Sequence, residues 1–230
     1  VHLYKNDGNM NFIDVSIESN IGQEMEARTA IAGDYDNDGD LDLFIGATIG
    51  SSKFFQNNGN GTFQDVTNLT GINISDQVRG CSWFDYNQDG YLDLYVGLLF
   101  EPNLLYKNNG DGTFIDVAQN VGATGPVGAG IIMGLGAIDY DRDGDQDLYI
   151  TQDNYNGNIL LKNENGSFFN DVSYNISTGS LSYLLNRNNR SITLMLLSSS
   201  GPILYADPLL LSFIMSLQYA STTSIICCQG

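Results

Sequence analysis

Short apolar runs, broken by Asn, Asp and Gly, recur along this chain in a fixed phase. Three runs lead into an aspartate-rich turn: AIAGDY, CSWFDY and LGAIDY. Three more leave it: LDLFIG, LDLYVG and QDLYIT. They are brief and rich in β-branched and aromatic residues, which is the signature of strands. A second pair of runs alternates with the first: LYKNDGNMNFIDVS from Leu3, FFQNNGNGTFQDVT from Phe54, LYKNNGDGTFIDVA from Leu105 and LLKNENGSFFNDVS from Leu160. Each predicts a hairpin, because Asn-Gly accepts the positive φ that tight two-strand turns require. One unit therefore holds four strands, A to D.

Registered on Phe12, Phe63, Phe114 and Phe168, the units step by 51, 51 and 54 residues. Registered on Asp34, Asp85 and Asp139, they step by 51 and 54. The distance from turn Asp to hairpin Phe is 29 each time, which puts the three extra residues in the connector GATGPVGAG. A period of this size signals repeat architecture. Four short antiparallel strands per repeat make a propeller blade. The expected fold is all-β, built of four-stranded antiparallel β-propeller blades in an incomplete ring of about three and a half. The expected divisions are a half-blade (1–16), blades at 29–68, 80–118 and 134–173, and a non-repeating tail (175–230). Trp83 is expected to pack within its blade.

The turns carry the chemistry. They read DYDNDGDLD, DYNQDGYLD and DYDRDGDQD, with side-chain oxygens at positions 1, 3, 5 and 9 and Gly at 6. A hard cation such as Ca²⁺ takes six to eight oxygens, and alternate residues of a tight turn can supply them. Position 7 varies freely, which suits a backbone carbonyl. An EF-hand would need Glu at position 12 and flanking helices, but position 12 is Ile45, Val96 or Ile150. A metal-free Asp/Gly turn is the bland alternative. Three copies in one phase argue against it, as does the cost of crowding carboxylates without a counter-charge.

The formal net charge of −18 argues against nucleic acid as a partner, because phosphate recognition needs clustered Lys and Arg. Half of the acidic residues before position 175 lie in the three turns. Cysteine is limited to Cys81, Cys227 and Cys228, which is neither a disulfide framework nor a zinc spacing. The single histidine, His2, leaves no Ser-His-Asp, Cys-His or H-E-x-x-H set. The chain is thus expected not to be an enzyme. Asn60, Asn68, Asn73, Asn165, Asn175 and Asn189 head N-x-S/T sequons.

Two motifs in fixed phase give these residues a specific resemblance. Residues 1–173 resemble the FG-GAP/VCBS repeat family, the calcium-loop blades of integrin α-subunit propellers and of cartilage-acidic-protein-like proteins. The resemblance implies a propeller, usually of seven blades, with calcium in the A–B loops and an extracellular, cell-surface or periplasmic setting. About three Ca²⁺ sites are implied. The first would use Asp34, Asp36, Asp38, Asp40 (backbone) and Asp42. The second would use Asp85, Asn87, Asp89, Tyr91 (backbone) and Asp93. The third would use Asp139, Asp141, Asp143, Asp145 (backbone) and Asp147. With one charge fewer, the second loop is expected to bind more weakly. Gln146 departs from the apolar residue the family prefers there and puts strand packing in question.

The pattern stops after residue 174. Three readings of the tail compete: non-native sequence, a hydrophobic anchor, or a divergent blade or small separate element. Gly201-Pro202 and Asp207-Pro208 interrupt any membrane-spanning run. The start inside a repeat reads as a fragment or a trimmed chain. The leading functional expectation is a calcium-stabilised module that binds an extracellular protein or glycan. Phe100, Glu101 and Tyr155, on the B–C loops, are the expected contacts. A domain of a polysaccharide-acting enzyme and a structural spacer are the alternatives.

Overall fold

The computed structural model describes residues 1–22, 24–125, 131–153, 158–173, 181–187 and 190–196. The alternating runs become strands. A two-stranded hairpin, β1 (Tyr4–Asn6) and β2 (Phe12–Asp14), comes first. The first full sheet is β3 (Glu26–Gly33), β4 (Asp42–Ile49), β5 (Lys53–Asn57) and β6 (Phe63–Asp65). A single helical turn, α1 (Thr67–Thr70), leads to β7 (Val78–Phe84), β8 (Asp93–Leu98), β9 (Leu104–Asn108) and β10 (Phe114–Asp116). The third sheet is β11 (Ile132–Ile138), β12 (Asp147–Gln152), β13 (Ile159–Asn163) and β14 (Phe169–Asp171). Each is an antiparallel meander in sequence order. These are four-stranded propeller blades, as the repeat pattern predicts.

Contacts divide the chain into two units. One is Val1–Ile138 with Gly144–Val172; the other is Asp139–Asp143 with Ser173–Gly230. In the second, β15 (Leu181–Arg187) pairs antiparallel with β16 (Arg190–Leu196). The other expectations for the tail lie outside the described residues.

The apolar core of the first unit lies between blades. Alternate residues of a strand face opposite sides of its sheet. On β4, Phe44 joins a cluster shared with the second blade, while Ile45 joins Ile21 and Phe55 on the other side. On β8, Leu94 and Val96 face the first blade and Tyr95 faces the third. Phe54, Trp83 and Phe114 pack tilted and edge-on, with ring centroids 5.8–6.2 Å apart, across the first interface. Trp83 is therefore packing, and it reaches so close to Gly33 that a Cβ there would stand 2.6 Å from its ring. Cys81 is a buried free thiol whose pKa burial pushes up to about 11, so it is inert at neutral pH.

One sequence registration needs correction. Phe169, not Phe168, pairs with Asn163 as Phe114 pairs with Asn108. Phe169 is buried against Phe84 and Tyr86, and Phe168 is exposed. The turn-to-hairpin unit of the third blade is thus one residue longer than the 29 expected. The extra residue sits between β12 and β13: Asp147 and Asn163 are 16 apart, where Asp93 and Asn108 are 15 apart. Gln146 disturbs no packing, because its side chain is exposed, as is Leu41 at the same place in the first blade.

Two buried asparagines pin neighbouring blades. The Asn108 amide donates to Tyr35 O of the preceding blade (2.8 Å) and to Leu92 O of its own (3.1 Å). Asn163 repeats this with Tyr86 O (2.8 Å) and Gln146 O (3.1 Å). We expect Asn108→Ala to cost about 2–3 kcal/mol, because it strands two carbonyls in the interior. Asn57→Ala should cost visibly less, since Asn57 is only partly buried and its amide is bonded within its own blade, to Leu41 O. Urea unfolding of the two variants checks the order.

Candidate metal centre

In the first loop, positive φ at Asn37 (60°) and Gly39 (94°) curls the chain around its first aspartate. Asp34 accepts backbone N–H groups from Asp38 (3.1 Å) and Gly39 (3.0 Å). Asp36 accepts from Asp38 (3.3 Å), and Asp38 from Asp40 (2.9 Å). Asp34, Asp36 and Asp42 thereby bring carboxylate oxygens within 4.8 Å of one another. Asp38 stays exposed. Asp40 is half-buried beneath the β5–β6 turn, where a Cβ on Gly59 would meet its carboxylate at 2.6 Å.

Asp42 plays a different part. It is fully buried and accepts Tyr35 N–H (3.2 Å) on one oxygen and Asn57 N–H (2.8 Å) on the other. It closes the loop and ties it to the C–D hairpin. Asp93 repeats this with Tyr86 (3.1 Å) and Asn108 (2.8 Å), and Asp147 accepts Asn163 N–H at 2.8 Å.

The second loop keeps the frame. Asp85 accepts Asp89 N–H (3.1 Å) and Gly90 N–H (2.8 Å). Asn87 accepts Asp89 N–H (3.2 Å), and Asp89 accepts Tyr91 N–H (3.1 Å). The Tyr91 ring lies against the β9–β10 turn at Gly110. Of the third loop, Gly144–Asp147 fall in the first unit and Asp139–Asp143 in the second. In the first unit, Asp145 and Asp147 are buried, and Asp145 accepts Asn165 N–H at 2.7 Å. In the second, Asp139 and Asp143 are exposed and Asp141 is half-buried.

Several contributing residues escape the motif. Asn37 donates to Gly90 O (3.1 Å) and Gln88 to Gly144 O (2.9 Å), so the fourth position of each of the first two loops grips the next loop. Gln56 donates to Asp36 (2.6 Å) and Lys107 to Asp89 (2.8 Å). The signal for the last pair is visible: a Gln or Lys always precedes the hairpin asparagine. Phe100 and Glu101 are exposed on the β8–β9 loop, at the end of the blade away from these turns, and Tyr155 lies outside the described residues. Phe100 has φ +64° and is 58% exposed.

A donor set of carboxylate, carboxamide and backbone oxygens, with no nitrogen or sulfur, fits a hard cation and not a thiophilic one. Burial, followed by nearby Asp36 and Asp38, pushes the Asp42 pKa up to about 6 against the pull of its two N–H bonds. The same balance, with Asp89 and Asp85 as neighbours, pushes Asp93 to about 7. Tyr35 and Tyr86 are pushed to about 12, first by burial and then by these carboxylates.

Comparison with known proteins identifies the repeat. The sequence pattern of the FG-GAP-like repeat family matches residues 1–45, 34–96 and 100–150. Cartilage acidic protein 1 of Xenopus tropicalis is 28% identical over 149 residues, which is 63% of this chain and 22% of that protein. The protein of the same name in Mus musculus is 28% identical over 170 residues, 72% of this chain and 23% of its own length. The chain spans less than a quarter of these relatives. Among solved structures, a similar chain is an Agrocybe aegerita lectin that recognises non-reducing terminal N-acetylglucosamine. It has a TM-score of 0.47 and 18% identity, over 85% of this chain and 55% of that one.

The raised aspartates set a pH dependence. Between about pH 4 and 7, metal-free folded protein holds protons at Asp42 and Asp93 that the unfolded chain releases. Its stability should therefore fall as pH rises through that window. A cation that requires the ionised carboxylates should bind more tightly at pH 7.5 than at pH 5.5 and release protons as it binds. Calorimetric titration in two buffers of different ionisation enthalpy measures both.

Proposed function

Because the chain belongs to the FG-GAP-like repeat family, we propose that it is a calcium-stabilised β-propeller module for binding an extracellular protein or glycan. The observation that carries this reading is the first loop, where Asp34, Asp36 and Asp42 converge in an all-oxygen hollow preformed by backbone N–H groups. Bound Ca²⁺ would supply charge neutralisation and stiffness, not chemistry on a substrate. Asp34, Asp36, Asp38 and Asp42, with the Asp40 carbonyl, would hold it in the first loop. Asp85, Asn87, Asp89, Asp93 and the Tyr91 carbonyl would do so in the second.

This chain's own part is to fix the blade corners. Asp42 and Asp93 join each corner to its hairpin, and Asn108 and Asn163 join it to the next blade. The stiffened blades then hold the B–C loops at the other end. There Phe100 presents a large apolar ring in a backbone conformation that bulky residues rarely adopt. An exposed aromatic on a loop held by a rigid scaffold suits partner recognition. At the same end is a cavity of about 380 Å³, lined by Ser51, Lys53, Thr67, Asn68 and Asn73 among others. Its hydroxyls and amides match the groups that pair with sugar hydroxyls. Relatives named for cartilage favour an extracellular setting. Among the described residues, no helix is long and apolar enough to cross a membrane.

Calcium at about a hundredfold excess over Kd should stabilise the fold by about 2.7 kcal/mol per site. Thermal melts with calcium and with EDTA read this, and melts that superimpose would end the calcium reading. On a matrix-protein and glycan array, Phe100→Ala should lose the bound partner while its melt in calcium stays at the wild-type temperature.

A further inference from the structure

The first two loops differ most in what stands beside them. On β5, Gln56 donates a neutral amide to Asp36 at 2.6 Å. At the same register on β9, Lys107 brings its ammonium to Asp89 at 2.8 Å. The Lys107 Nζ also donates to Asn108 O at 3.2 Å, which anchors the side chain over its own strand end. Asn87 donates to the same Asp89 oxygen at 2.9 Å, and the other Asp89 oxygen takes Tyr91 N–H. The first loop thus gathers five aspartates beside a neutral amide, and the second gathers three beside a cation.

We propose that Lys107 is the resident counter-ion of the second loop. It neutralises part of the charge at that corner and holds Asp89 in place without a divalent ion. The proposal rests on the calcium reading above and ranks its sites: the first loop needs the ion to relieve its charge, and the second is already partly relieved. Calcium must displace or outcompete the ammonium at Asp89, so the second loop is the weaker site. Affinity in such loops follows ligand charge; the second loop has fewer carboxylates and a competing ammonium, and both differences lower it.

Exchanging the two residues tests this on the full chain. Lys107→Gln installs the first blade's neutral donor. It should tighten the weaker calcium site by about tenfold and lower the melting temperature in EDTA. Gln56→Lys should do the reverse in the first blade, weakening the tighter site and reducing the loss of stability in EDTA. Calorimetric calcium titration and melts in EDTA read both variants. A Lys107→Gln protein that melts as wild type in EDTA overturns the proposal. So does one that binds no tighter while wild type binds calcium. If Lys107→Gln does not fold, Gln56→Lys decides by the same two readings. If wild-type protein binds no calcium, the calcium reading fails instead, and the EDTA melt still decides whether Lys107 is a counter-ion.

Discussion

Each blade depends on a carboxylate buried at the end of its A–B turn. Asp42 and Asp93 are fully shielded from water, and each is satisfied by two backbone N–H groups drawn from different parts of the chain. Removing a charge from water is costly unless hydrogen bonds replace the lost hydration. Here the replacements come from the start of the turn and from the end of strand C. The turn, the strand that leaves it and the hairpin beyond are therefore fixed by one group. A hydrophobic residue could fill the space but could not accept either N–H.

The same residues carry the tension of the site. Burial favours the neutral form of these aspartates, and the N–H bonds favour the charged one. With further aspartates nearby, the metal-free corner resolves that conflict with protons. On the calcium reading proposed above, a cation would resolve it at neutral pH. On that reading structure and binding are not separable, because the group that seals the turn also lies with Asp34 and Asp36 among the clustered oxygens.

Much of this was legible in the residues. Alternating apolar positions marked the strands, and the phase of Asp and Gly marked the turns. The four-stranded meander followed from Asn-Gly hairpins at constant spacing. What the pattern could not show were the links across long separations. Asn108 looks like an ordinary hairpin residue until it reaches Tyr35, 73 positions away. Two adjacent phenylalanines, Phe168 and Phe169, made the hairpin register ambiguous, and only burial against Phe84 and Tyr86 chooses between them. A Gln or Lys before each hairpin asparagine is a visible recurrence, but it does not say that Gln56 meets Asp36 or that Lys107 meets Asp89. The residues of the aspartate-rich turns were visible as a motif, but their division of labour was not. Asp42 seals, Asp38 faces solvent, and Asp40 lies under the neighbouring turn.

Close approach between blades is set by one position on strand B. Gly46 leaves room for Val78, and Gly97 leaves room for Ile132; a Cβ at either would come within 2.7 Å of the neighbour's side chain. At the matching register of β12 the residue is Thr151, which spends its hydroxyl on Gly134 O. Although the repeats share a motif, they are not interchangeable bricks. Transposing the third for the first would drive a branched side chain into a branched side chain. Serial order is thus written in steric complementarity, and duplication of one unit would need a compensating change on its new neighbour before the array could seat.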